Sequence, residues 1–223
     1  MLHLFLTKTI KYIDLDISDV LKQLFKIIEV ENVVSLIDCG GLVVGTTNKQ
    51  FAFQFLYHTK LFNAVTFFNN ETNLWQIIDR TGDLWNLESS PVQVWETFVY
   101  FDEYRCRGAD KKLVDDARAL VTLGPNMSKD KLFQGIARLR SIGKSQSFII
   151  CGTVEVSKSI DQLLKRFDSE NYNDGIIKSE HILNWATNNT IQSIKKGMTQ
   201  WCSQGELFCH TENLPVNYSL QSE

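Results

Sequence analysis

The stretch Thr97–Gly152, TFVYFDEYRCRGADKKLVDDARALVTLGPNMSKDKLFQGIARLRSIGKSQSFIICG, decides the fold. It holds three apolar runs: Thr97-Phe98-Val99-Tyr100-Phe101, Ala119-Leu120-Val121-Thr122-Leu123 and Ser147-Phe148-Ile149-Ile150-Cys151. Each is too short for a helix, and they end in Asp102-Glu103, Gly124-Pro125 and Gly152. Short apolar runs without alternation suit strands buried on both faces, as in a parallel sheet. Between the second and third, Ser128 to Ile142 carries a helical stripe of Leu132, Ile136 and Leu139, with Ser128 as N-cap. Strand, helix, strand at this spacing predicts a βαβ crossover.

The pattern extends outward in both directions. Asp16 to Glu29 has helical periodicity, and Val33 to Asp38 predicts a strand closed by a turn at Gly40-Gly41. Asn48 to His58 predicts a helix, Ala64 to Phe68 a strand, and Leu74–Ile78 with Leu84–Leu87 a hairpin around Thr81-Gly82-Asp83. Beyond Cys151, Val156, Ile160, Leu163, Leu164 and Phe167 mark another amphipathic helix. Residues 169–174 form a polar link, 179–196 predict a helix, and 205–223 predict a loose polar tail. The expected organisation is a helical lead-in over 1–32, an α/β domain over 33–168 and a helical to disordered extension over 169–223.

A chain of 223 residues with 43% hydrophobic residues and fourteen Phe has ample material for one core, which excludes global disorder. Ten Lys and Arg against six Asp and Glu lie between Phe101 and Lys144, although the whole chain carries a net charge of −3. This local excess suits a polyanion or nucleotide. No run is long enough for a membrane span, and the apolar start, with Lys8 and Lys11 behind it, lacks the layout of a signal peptide. An intracellular, cytoplasmic protein is the expectation, with five scattered cysteines that form no metal or disulfide pattern.

Two chemical readings arise from the residues. Arg105-Cys106-Arg107-Gly108-Ala109-Asp110 follows the carboxyl end of a buried strand, where open α/β sheets bind ligands. Flanking arginines would lower the Cys106 thiol pKa, which makes Cys106 the nucleophile of a thiol-hydrolase reading, with His58, His181 or His210 as base. Gly152-Thr-Val-Glu-Val-Ser157-Lys158-Ser159 approaches the phosphate-binding GxxxxGK[ST], with Ser157 in place of the second Gly, and Gly40–Lys49 lacks the GK[ST] ending. The expectation is therefore a chain without a phosphate cradle.

Phe98–Asp110, Ala117–Arg140 and Leu36-Ile-Asp-Cys-Gly-Gly-Leu-Val-Val-Gly45 together resemble, over about residues 33–156, the helicase-like region of very large eukaryotic proteins built of domains of unknown function. Those proteins are catalogued as P-loop NTPase-like and often labelled ubiquitinyl hydrolase. More distantly, Arg107-Gly108-Ala109-Asp110 resembles motif V, and Gln134 with Arg138 resembles motif VI, of superfamily 2 helicases and the SecA translocase. Ala137 stands where motif VI has Gly, and Arg140 lies one place ahead of its last Arg. The resemblance implies a RecA-like parallel sheet with helices on both faces and a helical C-terminal extension. It implies nucleotide contacts from Arg107, Gly108, Asp110 and Gln134, and catalytic roles for Arg138 and Arg140. It further implies that ATP and magnesium bind only with a first RecA-like lobe in a longer chain, so the isolated chain is inactive, with no cofactor or metal. Ubiquitin conjugates are the substrates under the family label; a degenerate, non-enzymatic interaction domain is the remaining reading. At about 100° per residue, Arg138 should share Gln134's exposed face beside residues 107–110, with Arg140 turned elsewhere.

Overall fold

The computed structural model describes residues 2–107, 111–167 and 176–212. Its eight strands are β1 (Thr9–Leu15), β2 (Ser35–Ile37), β3 (Ala64–Asn69), β4 (Leu74–Asp79), β5 (Leu84–Asn86), β6 (Phe98–Phe101), β7 (Arg118–Leu123) and β8 (Ser147–Thr153). The helices are α1 (Leu2–Lys8), α2 (Val20–Val30), α3 (Asn48–His58), α4 (Lys129–Ile136), α5 (Val154–Phe167) and α6 (Ser179–Glu212). All strands join one sheet in the order β1-β8-β7-β2-β6-β3-β4-β5. Pairing is parallel from β1 through β3, while β4 and β5 extend the far edge antiparallel. The sheet is thus mixed and mostly parallel, consistent with a RecA-like α/β architecture.

Burial explains the layering. The apolar strands have side chains on both faces, so two separate cores form. On one face Leu24, Phe25 and Ile28 of α2 and Phe51, Phe55 and Leu56 of α3 cover Leu36, Phe98, Tyr100 and Leu120. On the other, Leu132 and Ile136 of α4, Val156 and Ile160 of α5, and Ile182 and Trp185 of α6 cover Ile37, Phe101, Val121 and Ile150. Stacked rings reinforce the first core, with Phe51 on Tyr100 at 4.0 Å and Phe55 on Phe98 at 4.1 Å between centroids. Caps set the helix starts: Thr47 accepts from the Gln50 amide at α3, and Ser128 from the Lys131 amide at α4.

Three expectations need correction. The segment 1–32 is no separate lead-in, because Thr9–Leu15 adds a parallel edge strand to β8 and α2 packs on the shared core. An edge strand has only one neighbour, so its apolar pattern is diluted in sequence. The helix expected over 128–142 stops at Ile136, where bonds from Arg138 to Gly135 and from Leu139 to Ile136 tighten the backbone to 3₁₀-like turns. The C-terminal helix runs 34 residues to Glu212, so the expected loose region is helical from 205 to 212. The polar link at 169–174 and the tail from 213 lie outside the described residues. Among the described residues, no helix is long and apolar enough to cross a membrane.

Candidate functional site

Chain direction determines where a crevice can open. After β2 the chain leaves to α3 on one face, whereas after β7 it leaves to α4 on the other. The segment after β6 also leaves toward the α4 face, carrying Cys106, Leu113 and Val114 into that core. β2 lies between β6 and β7, so a topological switch exists on each side of it. On the β7 side, backbone fills the gap. A Cβ on Gly124 would lie 2.3 Å from the Gly40 carbonyl oxygen, and the Gly40 amide donates to Thr122 Oγ1 at 2.8 Å. On the β6 side a cavity of about 580 Å³ remains, lined among others by Asp38, Thr47, Asn48, Asn69, Asp102 and Glu103.

Asp38 organises this crevice. It follows β2, is 1% exposed, and accepts from the Leu42 amide (2.9 Å), the Val43 amide (3.0 Å) and the Thr122 hydroxyl (2.6 Å). The loop turns at Gly41, where φ is +63°, a conformation that suits glycine, and a Cβ there would lie 2.7 Å from Glu103 Oε2. Glu103 itself pairs with Lys131 of α4. Burial raises the Asp38 carboxyl above the usual carboxylate range, although its three donors pull the other way. Opposite Asp38, the Asp102 carboxylate accepts from the Asn48 side-chain amide and, at 2.7 Å, from the Arg105 backbone amide. The same Asn48 amide group donates to the Phe68 carbonyl at 2.8 Å, tying α3 to β3 and β6.

The loop before α3 keeps part of the GxxxxGK[ST] spacing without its GK pair. Gly40 and Gly45 stand at the two glycine positions of GxxxxGK[ST], Thr47 at the hydroxyl position, and Thr46 where the lysine belongs. The loop also joins a central parallel strand to a helix N-terminus, as that motif requires. Yet two of its amides already serve Asp38, and both Asp102 oxygens have donors. A triphosphate would meet Asp38, Asp102 and Glu103, and the one lysine lining the cavity, Lys49, stands three places past the motif's lysine position, so these residues do not fit Mg·ATP as a P-loop does. The second near-miss fails for a simpler reason. β8 ends at Thr153 and α5 begins at Val154, so no loop exists between them. Ser157 lies in the helix, buried, and hydrogen-bonds Tyr12 at 2.9 Å and Asp14 of β1.

The residues proposed from sequence differ in their placement. Gly108 and Asp110 lie outside the described residues. Arg107 and Gln134 are exposed. Arg138, expected beside Gln134 on an open face, is buried at 8% exposure because the tightened turn after α4 rotates it inward, while Arg140 remains exposed. Cys106 is corrected most clearly. It is 1% exposed within the α4-side core and its thiol donates to the Phe101 carbonyl at 3.9 Å. The neighbouring Cys39 thiol and burial push the Cys106 pKa up, the reverse of the lowering expected from flanking arginines. Arg105 is engaged elsewhere, with its guanidinium 3.4 Å from the Phe68 ring centroid. His58 is exposed and stacks on Phe25, which belongs to the opposite core layer. Cys39 and Cys151 are core residues, as their strand-end positions predict.

This burial yields a direct test. A thiol reagent added to the native chain should modify Cys202 and Cys209 and spare Cys39, Cys106 and Cys151 until denaturant is present. Rapid native modification of Cys106, read by peptide mass spectrometry, would contradict its placement. Among the described residues no group of three or more His, Cys, Asp or Glu is arranged to hold a metal ion. Neither protein-family models, curated proteins nor solved structures yield a match to this chain.

Proposed function

We propose that this chain is a helicase-like α/β lobe that does not hydrolyse nucleoside triphosphates by itself and serves as a binding and interaction domain. Its place would be beside a first RecA-like lobe in a longer chain. The observation that carries this reading is the Asp38 carboxylate on the amides of Leu42 and Val43, at the place where a phosphate cradle would need free donors. The cavity beside it offers carboxylates, asparagines and hydroxyls, a chemistry suited to neutral hydrogen-bonding or cationic groups. Cys106 has no role in this reading.

Phosphate release from ATP and GTP with magnesium should equal the protein-free blank. Turnover above the blank that disappears with Lys49→Ala, the lysine lining the cavity, would overturn the reading and make the Gly40–Thr47 loop a working cradle. Turnover that survives this substitution would also overturn it.

A further inference from the structure

Helix α6 changes character along its length. Its first part is seated: Trp185 Nε1 donates to Ser159 of α5 at 3.0 Å, Asn189 donates to the Met127 carbonyl at 3.1 Å, and Thr190 accepts from the Lys129 amide at 2.9 Å. From Ile191 to Glu212 every residue is exposed. At 1.5 Å per residue this is a projecting rod of about 30 Å. A solvated rod should be polar all round, but this one is not. Ile191, Ile194, Met198, Trp201, Gly205 and Phe208 recur at alternating three- and four-residue steps, the spacing of a coiled-coil seam. Trp201 is 76% exposed and Met198 61%. The seam does not stop where the rod meets the body. Asn184 and Thr187 continue it, and with Ile191 they line a groove of about 500 Å³ against Leu163 and Leu164 of α5.

We propose that the projecting half of α6 pairs antiparallel with the same helix of a second copy of this chain, forming a two-helix dimer interface. Side-chain size argues for the second copy and for its direction. Antiparallel pairing sets first-seam positions of one helix against second-seam positions of the other. The layers are then Ile191 against Phe208, Ile194 against Gly205, and Met198 against Trp201, each formed twice. Every large residue faces a smaller one, and Gly205 makes room for Ile194. A parallel pair would instead oppose Gly205 to Gly205, leaving a void, and Trp201 to Trp201. Charge argues the same way. Lys195 and Lys196 occupy the first half of the rod and Glu206 and Glu212 the second. Only the antiparallel arrangement brings Lys195 of one copy near Glu206 of the other, where unlike charges attract. Length agrees too: with Phe208 at Ile191, the partner's helix tip reaches the mouth of the Leu163–Leu164 groove.

The test uses the full chain. Sedimentation equilibrium over a concentration series should give twice the 25.6 kDa chain mass. Trp201→Glu and Met198→Glu should each raise the dimer dissociation constant about thirtyfold or more, as loss of an interface anchor does. Both sites are exposed in the single chain, so helix content and melting of the monomer should not change. Direction is read on a background of Cys202→Ser and Cys209→Ser. Ile194→Cys and Gly205→Cys proteins should form a disulfide when mixed and oxidised, and neither should crosslink to itself. A monomer at every concentration overturns the proposal, as does a dimer indifferent to both glutamates. Self-crosslinking of Ile194→Cys would show parallel pairing and overturn it equally.

Discussion

Replacing Asp38 with alanine is expected to lower the unfolding free energy by roughly 2–4 kcal/mol, measured by urea denaturation. The carboxylate serves two loop amides and the Thr122 hydroxyl, and Thr122 in turn accepts from Gly40. Its removal strands donors in a region that is 1% exposed at Asp38 itself. Each stranded donor costs about 1–3 kcal/mol, but the adjoining cavity admits water to one side, which keeps the total below the sum. The effect has a pH signature. Burial lifts the folded carboxyl above its unfolded value, so the folded chain binds this proton up to a higher pH. This contribution to stability is present in full below the unfolded value of about 3.9 and is lost as pH rises through the folded one. Asp38→Asn lacks the titration. The wild-type minus Asp38→Asn difference in unfolding free energy should therefore fall with rising pH, and a difference that grows with pH would show that the donors outweigh burial.

Gly124→Ala should cost about 3 kcal/mol, the upper range for overpacking against an unyielding neighbour. The new Cβ would lie 2.3 Å from the Gly40 oxygen, and both partners are backbone of adjoining strand ends, so no side chain can swing aside. Gly45→Ala provides the contrast. Gly45 has φ +76° with nothing within 4 Å of an added Cβ, so only conformational strain of about 1 kcal/mol applies. Equal losses for the two variants would refute the claim that close approach of Gly40 and Gly124 seals one side of β2. Because that seal leaves only the β6 side open, Gly124→Ala should also disturb Asp38 and the loop it holds.

The apolar runs at 98–101, 119–123 and 147–151 determined the α/β class by themselves. Strands buried on both faces must be continuous in hydrophobicity, a local property that one sequence displays. The same holds for the helix starts at Thr47 and Ser128, because a cap is a contact among neighbours. What the sequence left open depended on partners distant in the chain. The edge strand Thr9–Leu15 exists because β8 offers it a free edge, some 140 residues away. Arg138 turned inward because the backbone tightened after Gly135, and Cys106 was buried because the segment after β6 folded onto the α4-side core. Neither outcome follows from residue spacing, which assumes a regular helix and an open turn. The site shows the division most sharply. Asp38, Gly40, Gly45 and Thr47 can all be read off the chain as a strand end and a glycine-spaced loop. The loop's amides close on Asp38 from only four and five positions away, but that Thr122 joins Asp38 to Gly40, and that Gly40 meets Gly124, is settled only when β2 lies beside β7, since those contacts join residues more than eighty positions apart.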